Sequence, residues 1–284
     1  MLNILSIDLE DWFHILDHKE TASPQHWEKF EARIDANANR LLDILEENDQ
    51  KATWFCLGWM ARKHPELIKR ISKQHHIACH SDLHELVYTQ SPERFKDDTL
   101  RAKAILEDLI GKEVDDYRAP GFSVTKETSW FFDSLLECGF KTDSSVFPAK
   151  RTHGGYHDFG TSKPCRVQTP SGMIKEFPMN TVNLFGKEIV FSGGGYFRAL
   201  PYSFIRKQFK ESDYVMTYFH PRDFDPDQPR IDSLPFKRKL MSYIGLKSSE
   251  KKLRNLLKDH NFVDIPTAEA QIDWEQTPII QIIS

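Results

Sequence analysis

The sequence predicts an α/β protein with parallel strands. Short apolar runs and amphipathic stretches alternate along its whole length. Four of the apolar runs also end in polar clusters: Asp8-Leu9-Glu10-Asp11, Cys79-His80-Ser81-Asp82-Leu83-His84, Arg118-Ala119-Pro120 and Tyr218-Phe219-His220-Pro221. Reactive groups collected at strand ends are the layout of an active site on an α/β scaffold.

In chain order, residues 3–8 form a strand that delivers Asp8, and an irregular, aromatic-rich segment follows to about residue 30. Ile34, Leu41, Leu42 and Leu45 have the spacing of a helix over 31–48, and Ala52–Leu57 reads as a strand. Pro65 suits the first turn of a helix running to Lys73, before a strand at Ile77–Cys79 delivers His80. Ser91 caps a long helix that Gly111 closes. A strand over 114–118 ends on Arg118, a helix covers Thr125–Cys138, and Phe140–Asp143 is the next strand. Residues 148–172, rich in Gly, Pro, His and Ser, read as a long loop beside the site. Strands near 173–177 and 188–191, a helix at 201–210, the strand Tyr214–Phe219, helices at 233–244 and 247–259 and a mixed tail complete the chain. Residues 1–230 are expected to form the catalytic domain, with 231–284 a helical extension packed on it.

Composition narrows the class. Of 284 residues, 39% are hydrophobic, 28% charged and 12% aromatic, which suits a globular enzyme. A net charge of −4 gives a nucleic-acid partner no electrostatic support. No run approaches the roughly 18 apolar residues of a membrane span, and no signal peptide is evident at the N-terminus. Cys56, Cys79, Cys138 and Cys165 lack metal or redox spacing and read as reduced, buried thiols, so a cytoplasmic location is expected.

His80 and His84 stand four apart just after a strand, so on one helical turn both imidazoles would face the same ion. The carboxylates of Asp8, Glu10 and Asp11 could complete such a site. Gly193-Gly194-Gly195 lacks the spacing of a dinucleotide loop and reads instead as a close-packed turn, with Tyr196 and Arg198 as candidate sugar contacts. His153 and His157 read as loop residues.

Taken together, the four clusters and Asp143-Ser144-Ser145-Val146 resemble the motifs of the polysaccharide deacetylases, the NodB-homology group of carbohydrate esterase family 4. The branch whose first motif is Asp-x-Glu-Asp looks most similar. The resemblance covers roughly residues 3–225 and implies a distorted (β/α)7 barrel. It implies that Asp8 is the catalytic base, that Arg118 holds it, and that His220 protonates the leaving amine. His80 and His84 match the two histidine ligands of a divalent ion, zinc first, with nickel, cobalt or iron as alternatives. The carboxylate ligand is Glu10 or Asp11: strand alternation favours the former, the family's use of aspartate the latter. Gly121 keeps the backbone N–H that helps bind an oxyanion but replaces the usual aromatic wall. Trp12, Asp143 and Tyr218 are expected to line the substrate groove.

The resemblance implies hydrolysis of the acetamide of an N-acetylated amino sugar in surface-polysaccharide biosynthesis. The substrate would be nucleotide-linked, lipid-linked or an oligosaccharide. An allantoinase-like or N-deformylating enzyme, or an idle carbohydrate-binding protein, are the alternatives.

Overall fold

The computed structural model describes residues 1–282 except Asp17, 150–153 and Phe185. His153 and part of the 148–172 segment therefore lie outside the described residues.

Two short strands, β1 (Leu2–Ile4) and β2 (Ser6–Leu9), open the chain, followed by α1 (Pro24–Trp27) and α2 (Ile34–Glu47). Then come β3 (Thr53–Cys56), α3 (Gly58–Lys63), α4 (Pro65–Ser72), β4 (His76–Cys79) and α5 (Pro92–Ile110). The middle holds β5 (Asp116–Tyr117), α6 (Trp130–Glu137), β6 (Thr142–Asp143), β7 (Cys165–Thr169), β8 (Gly172–Glu176), β9 (Val182–Leu184) and β10 (Lys187–Ile189). The last part runs α7 (Gly194–Ala199), α8 (Tyr202–Glu211), β11 (Tyr214–Met216), α9 (Phe236–Tyr243), α10 (Leu246–Asp259), α11 (Ile265–Gln271) and β12 (Ile279–Gln281). No described helix is long and apolar enough to cross a membrane.

The main sheet has the order β12-β7-β8-β6-β5-β4-β3-β2, parallel except where β7 meets β8. On the far side, β11 runs parallel to β1, and Ile7 bridges to Phe219, which curls the sheet into a distorted (β/α) barrel. Strand alternation divides the apolar side chains between two faces. Trp54, Cys56, Ile77 and Cys79 join the large core under the helices, while Phe55 and Ala78 join a smaller cluster with Ile4, Phe177 and Met216.

Register decides where chemistry can gather. Asp8 pairs with Phe55, Cys56 with Cys79, Cys79 with Tyr117, and Tyr117 with Asp143. The residues just beyond these pairs, including Glu10, His80, Arg118 and Ser144, therefore stand together at the carboxyl ends of neighbouring strands.

Local signals hold where the backbone itself enforces them. Ser91 Oγ accepts the Arg94 N–H at 3.3 Å, and Gly111 ends α5 with φ +66°. The segment read as one long loop contains a strand instead, because β7 pairs antiparallel with β8 and its outer edge is covered by β12 from the end of the chain. The segment after residue 230 thus contributes a strand as well as helices. All four cysteines are buried and free.

Candidate active site

Asp8 is the third residue of β2 and is almost fully buried. The Arg118 Nη1 donates to its Oδ1 at 2.7 Å and to Ser6 Oγ at 2.8 Å, while Nε donates to the Ser144 carbonyl at 3.2 Å. The guanidinium lies over the Phe55 ring, 4.0 Å from its centroid. Arg118 therefore fixes the Asp8 carboxylate by charge and a single short hydrogen bond, while its plane is held against Phe55.

Immediately after the strand, Glu10 Oε1 sits 3.1 Å from His80 Nε2 and 2.9 Å from His84 Nε2. The ligand-capable atoms of these three residues all lie within 4.8 Å of one another. His80 Nδ1 donates to the Arg118 carbonyl at 2.7 Å, so a neutral His80 turns its Nε2 lone pair toward a carboxylate oxygen. Lone pair against lone pair is repulsive unless a cation lies between them. The donor set of two imidazoles and one carboxylate fits a divalent metal ion.

His84 does not reach this point from a helical turn. Ser81 and His84 take left-handed backbone conformations, φ 70° and 55°, and the Ser81 hydroxyl accepts the His84 N–H at 3.0 Å. Burial alone would raise the Glu10 pKa, but the neighbouring His84, His220 and His80 outweigh it and hold the carboxyl well below its ordinary value.

Asp11 faces elsewhere. Its Oδ2 accepts the N–H groups of Arg33 (2.8 Å) and Ile34 (3.0 Å), and its Oδ1 accepts that of Trp12. It caps the start of α2 from a distance and is not part of the ligand group. Asp8, Glu10 and His220 form a second close group, but Asp8 already holds a guanidinium and His220 an aspartate. A cation would be repelled there by Arg118.

His220 Nδ1 donates to Asp223 Oδ2 at 3.1 Å, which leaves Nε2 facing Asp8 and Glu10, each 3.8 Å away. Burial works against the imidazolium, but Glu10, Asp223 and Asp8 outweigh it and lift His220 to about 9. Asp223 would also be raised by burial, but Arg198, an ion pair at 3.1 Å, and His220 pull it down to about 2. Asp223→Asn should therefore lower the His220 titration in metal-free protein while Glu10 and Asp8 still hold it up. NMR of the imidazole would read this; an unmoved midpoint would exclude Asp223 as one of the groups that charge the ring.

The pocket above these residues encloses about 760 Å³. Gly121, with φ +63°, and Phe122 line it together with Tyr218. Phe122 meets Tyr218 edge to face at 5.2 Å, so the aromatic wall that Gly121 lacks is supplied one residue later. The triple glycine lets a backbone pass close by, since a Cβ on Gly193 would come within 1.9 Å of the Tyr218 carbonyl oxygen. Tyr196 also lines the pocket.

Trp12 and Asp143 do not line it, contrary to expectation. The Trp12 ring is buried against Phe13 and Phe30, with its indole N–H on the Glu31 carbonyl. Asp143 is fully buried in β6, accepts from the Ser145 hydroxyl at 2.5 Å and pairs with Glu176. Burial raises both carboxyls, Asp143 to about 6 and Glu176 well above its ordinary value, where the Asp143 charge adds to the effect.

Other lining residues were not anticipated. His14 Nδ1 accepts the Asp11 N–H at 2.9 Å, and burial, aided by His84, pushes the ring down to about 3. Asp223 had a readable signal, since an aspartate three residues after His220 is placed to accept the His220 N–H at the start of a turn, as it does at 2.9 Å. Arg222 and the α9 residues Lys237 and Arg238 had none.

Residues 19–141 match the polysaccharide deacetylase family model. Over that stretch the chain carries a polysaccharide deacetylase domain. Residues 144–269, which supply Tyr218, His220, Asp223 and α9, match a domain of unknown function, DUF3473. A peptidoglycan-N-acetylglucosamine deacetylase of Bacillus cereus is 29% identical over 104 residues, 36% of this chain and 47% of the relative. A second protein of that name and source is 26% identical over 102 residues, 36% of this chain and 37% of its own. These matches span less than half the length of either relative. A crystal structure assigned to a polysaccharide deacetylase of Mycobacterium smegmatis aligns over 100% of this chain and 93% of its own, with TM-score 0.66 and 17% identity. A 4-alpha-glucanotransferase of Thermococcus litoralis aligns over 99% of this chain and 41% of its own, with TM-score 0.59 and 12% identity. At such identities the likeness establishes the fold alone. A barrel shared with a glucanotransferase leaves the reaction to be read from the side chains.

Proposed function

We propose that this deacetylase family member is a metal-dependent N-deacetylase acting on the acetamide of an N-acetylated amino sugar in surface-polysaccharide biosynthesis. The observation that carries the reading is Glu10 Oε1 facing two imidazole Nε2 atoms, one of them deprived of its proton by the Arg118 carbonyl. Glu10, His80 and His84 would hold the ion; zinc suits this donor set first, with nickel, cobalt or iron able to replace it. When bound, the ion supplies Lewis acidity toward the acyl group and acidifies water.

The chain's own groups do the remaining work. Asp8 accepts the proton of the attacking water on the carboxylate that Arg118 orients. The C–O bond forms first by addition of water to the acyl carbon; the C–N bond then breaks as His220, charged and held by Asp223, gives a proton to the departing nitrogen and the carbonyl re-forms. Acetate and a free amine result. Phe122 and Tyr218 shield the centre from bulk water. We place the reaction in the cytoplasm, a reading supported by four buried thiols with no disulfide among the described residues.

Elemental analysis of wild type and a His80→Ala/His84→Ala variant, with acetate release from UDP-N-acetylglucosamine and N-acetylated oligosaccharides, tests the proposal. The expected result is about one ion per chain, lost in the variant together with acetate release. Metal binding with formate release, or with turnover of cyclic amides alone, would replace the acyl group in this reading. No metal binding after reconstitution would end it.

A further inference from the structure

We propose that Glu176, Asp143 and Ser145 form a buried brace that positions Arg118 for two tasks, holding Asp8 and orienting His80. They are positioning residues, since none of the three lines the pocket. The use of the brace in catalysis rests on the deacetylase reading; its geometry does not.

Two peptide groups connect the brace to the site. Each is planar, so pinning its N–H also aims its carbonyl in the opposite direction. In the first, the Ala119 N–H donates to Ser145 Oγ at 2.7 Å, and the Arg118 carbonyl accepts from His80 Nδ1 at 2.7 Å. In the second, the Ser145 N–H donates to Asp143 Oδ2 at 3.2 Å, and the Ser144 carbonyl accepts from Arg118 Nε at 3.2 Å. The first peptide sets the imidazole of a ligand histidine. The second sets the guanidinium that holds the base.

Asp143 governs both. Its Oδ1 accepts the Ser145 hydroxyl at 2.5 Å, which turns that hydrogen away from Ala119 and leaves a lone pair for the Ala119 N–H. Glu176 in turn holds Asp143. The two carboxyls bond to each other, and Glu176 Oε1 accepts the Val146 N–H at 3.1 Å. Glu176 stands on β8 directly opposite Asp143 on β6, so the brace is anchored in the main sheet.

None of these side chains reaches solvent. Two buried carboxyls cost free energy that apolar residues in the same space would not. Apolar residues, however, could not accept the N–H groups of Ala119, Ser145 and Val146. The brace also accounts for an aspartate at the end of β6 that does not line the substrate groove.

The test uses Glu176→Leu, Ser145→Ala and Glu176→Gln, with Ile174→Ala as a control from the apolar core side of β8. On the N-acetylated sugar that wild type turns over, Glu176→Leu and Ser145→Ala should each lower kcat about 10- to 100-fold. KM should stay within about twofold, because the reacting groups move and the pocket does not. Glu176→Gln should recover most of the rate lost in Glu176→Leu, since an amide can donate to Asp143 and accept from Val146. Ile174→Ala should unfold at lower urea yet keep its kcat. Chelator competition supplies a second readout, in which Ser145→Ala weakens metal binding about tenfold, as for other groups that orient a ligand histidine. Urea unfolding of metal-free protein supplies a third. Because the brace acts through Arg118, the double variant of Ser145→Ala or Glu176→Leu with Arg118→Met should lose less than the sum of the single losses. Ser145→Ala removes one hydroxyl and carries all three measurements should Glu176→Leu fail to fold. Additive losses in urea, a rise in KM that matches the fall in kcat, or an equal fall in kcat for Ile174→Ala would overturn the brace. A wild type that bound no metal and released no acetate would end the deacetylase reading instead, and the urea comparison would still decide the brace.

Discussion

Glu10→Ala is expected to abolish metal binding, while Asp11→Ala keeps the metal and lowers stability. The two carboxylates are adjacent in sequence, and their surroundings separate them. Glu10 Oε1 is the atom shared by His80 and His84, so its loss removes one of three ligands. Loss of an outer-shell partner already costs about 10- to 100-fold in affinity, and loss of a ligand should exceed the upper figure. Asp11 instead accepts two backbone N–H groups at the start of α2. Removing it orphans both donors at a partly buried helix end, at a cost of about 2 kcal/mol or more. Elemental analysis and thermal unfolding of the two purified variants separate the effects, with a fall of about 5 °C expected for Asp11→Ala. The reverse pattern, with metal lost from Asp11→Ala and kept in Glu10→Ala, would overturn the assignment.

This pair also shows what the residues could reveal in advance. Asp8, His80, Arg118 and His220 were legible because each follows an apolar run, and parallel strands in register bring such ends together. Beyond the strand end the chain leaves that periodicity. Alternation favoured Glu10, but only the far-off start of α2 explains where Asp11 turns. Trp12 was misread for the same reason, because its partners Phe30 and the Glu31 carbonyl lie some twenty residues on. Asp143 was misread because its neighbours are the Ser145 hydroxyl and Glu176, the latter on a strand that pairs with β6 only after folding. The strand Cys165–Thr169 escaped notice because it is an edge built by non-local pairing with β8 and β12. The α9 wall of the pocket carries no local signal at all, since Lys237 and Arg238 meet the site only through the packing of that helix.

Arg118→Met is expected to destabilise the metal-free protein by about 3 kcal/mol and to remove activity, because it takes away the guanidinium bonded to the buried Asp8 carboxylate and leaves only the His220 ring, 3.8 Å away, as a counter-charge. No part of Arg118 reaches solvent, and its partners come from two strands: Asp8 and Ser6 on β2 and the carbonyl of Ser144 just beyond β6. Its own carbonyl holds His80 Nδ1, so a shift of this backbone would also disturb the ligand group. Arg118→Lys should not rescue activity. An ammonium is a single point charge and cannot serve Asp8, Ser6 and Ser144 at once while lying flat on Phe55. The informative variant is the double change Asp8→Asn with Arg118→Met. It removes both charges, so most of the lost stability should return, while acetate release should not, because the proton acceptor is gone. Urea unfolding of the three variants at one pH measures the first quantity and an acetate assay the second. A cost below about 1 kcal/mol for Arg118→Met would mean that water or a neighbouring group compensates Asp8, and the ion pair would lose its place in the mechanism.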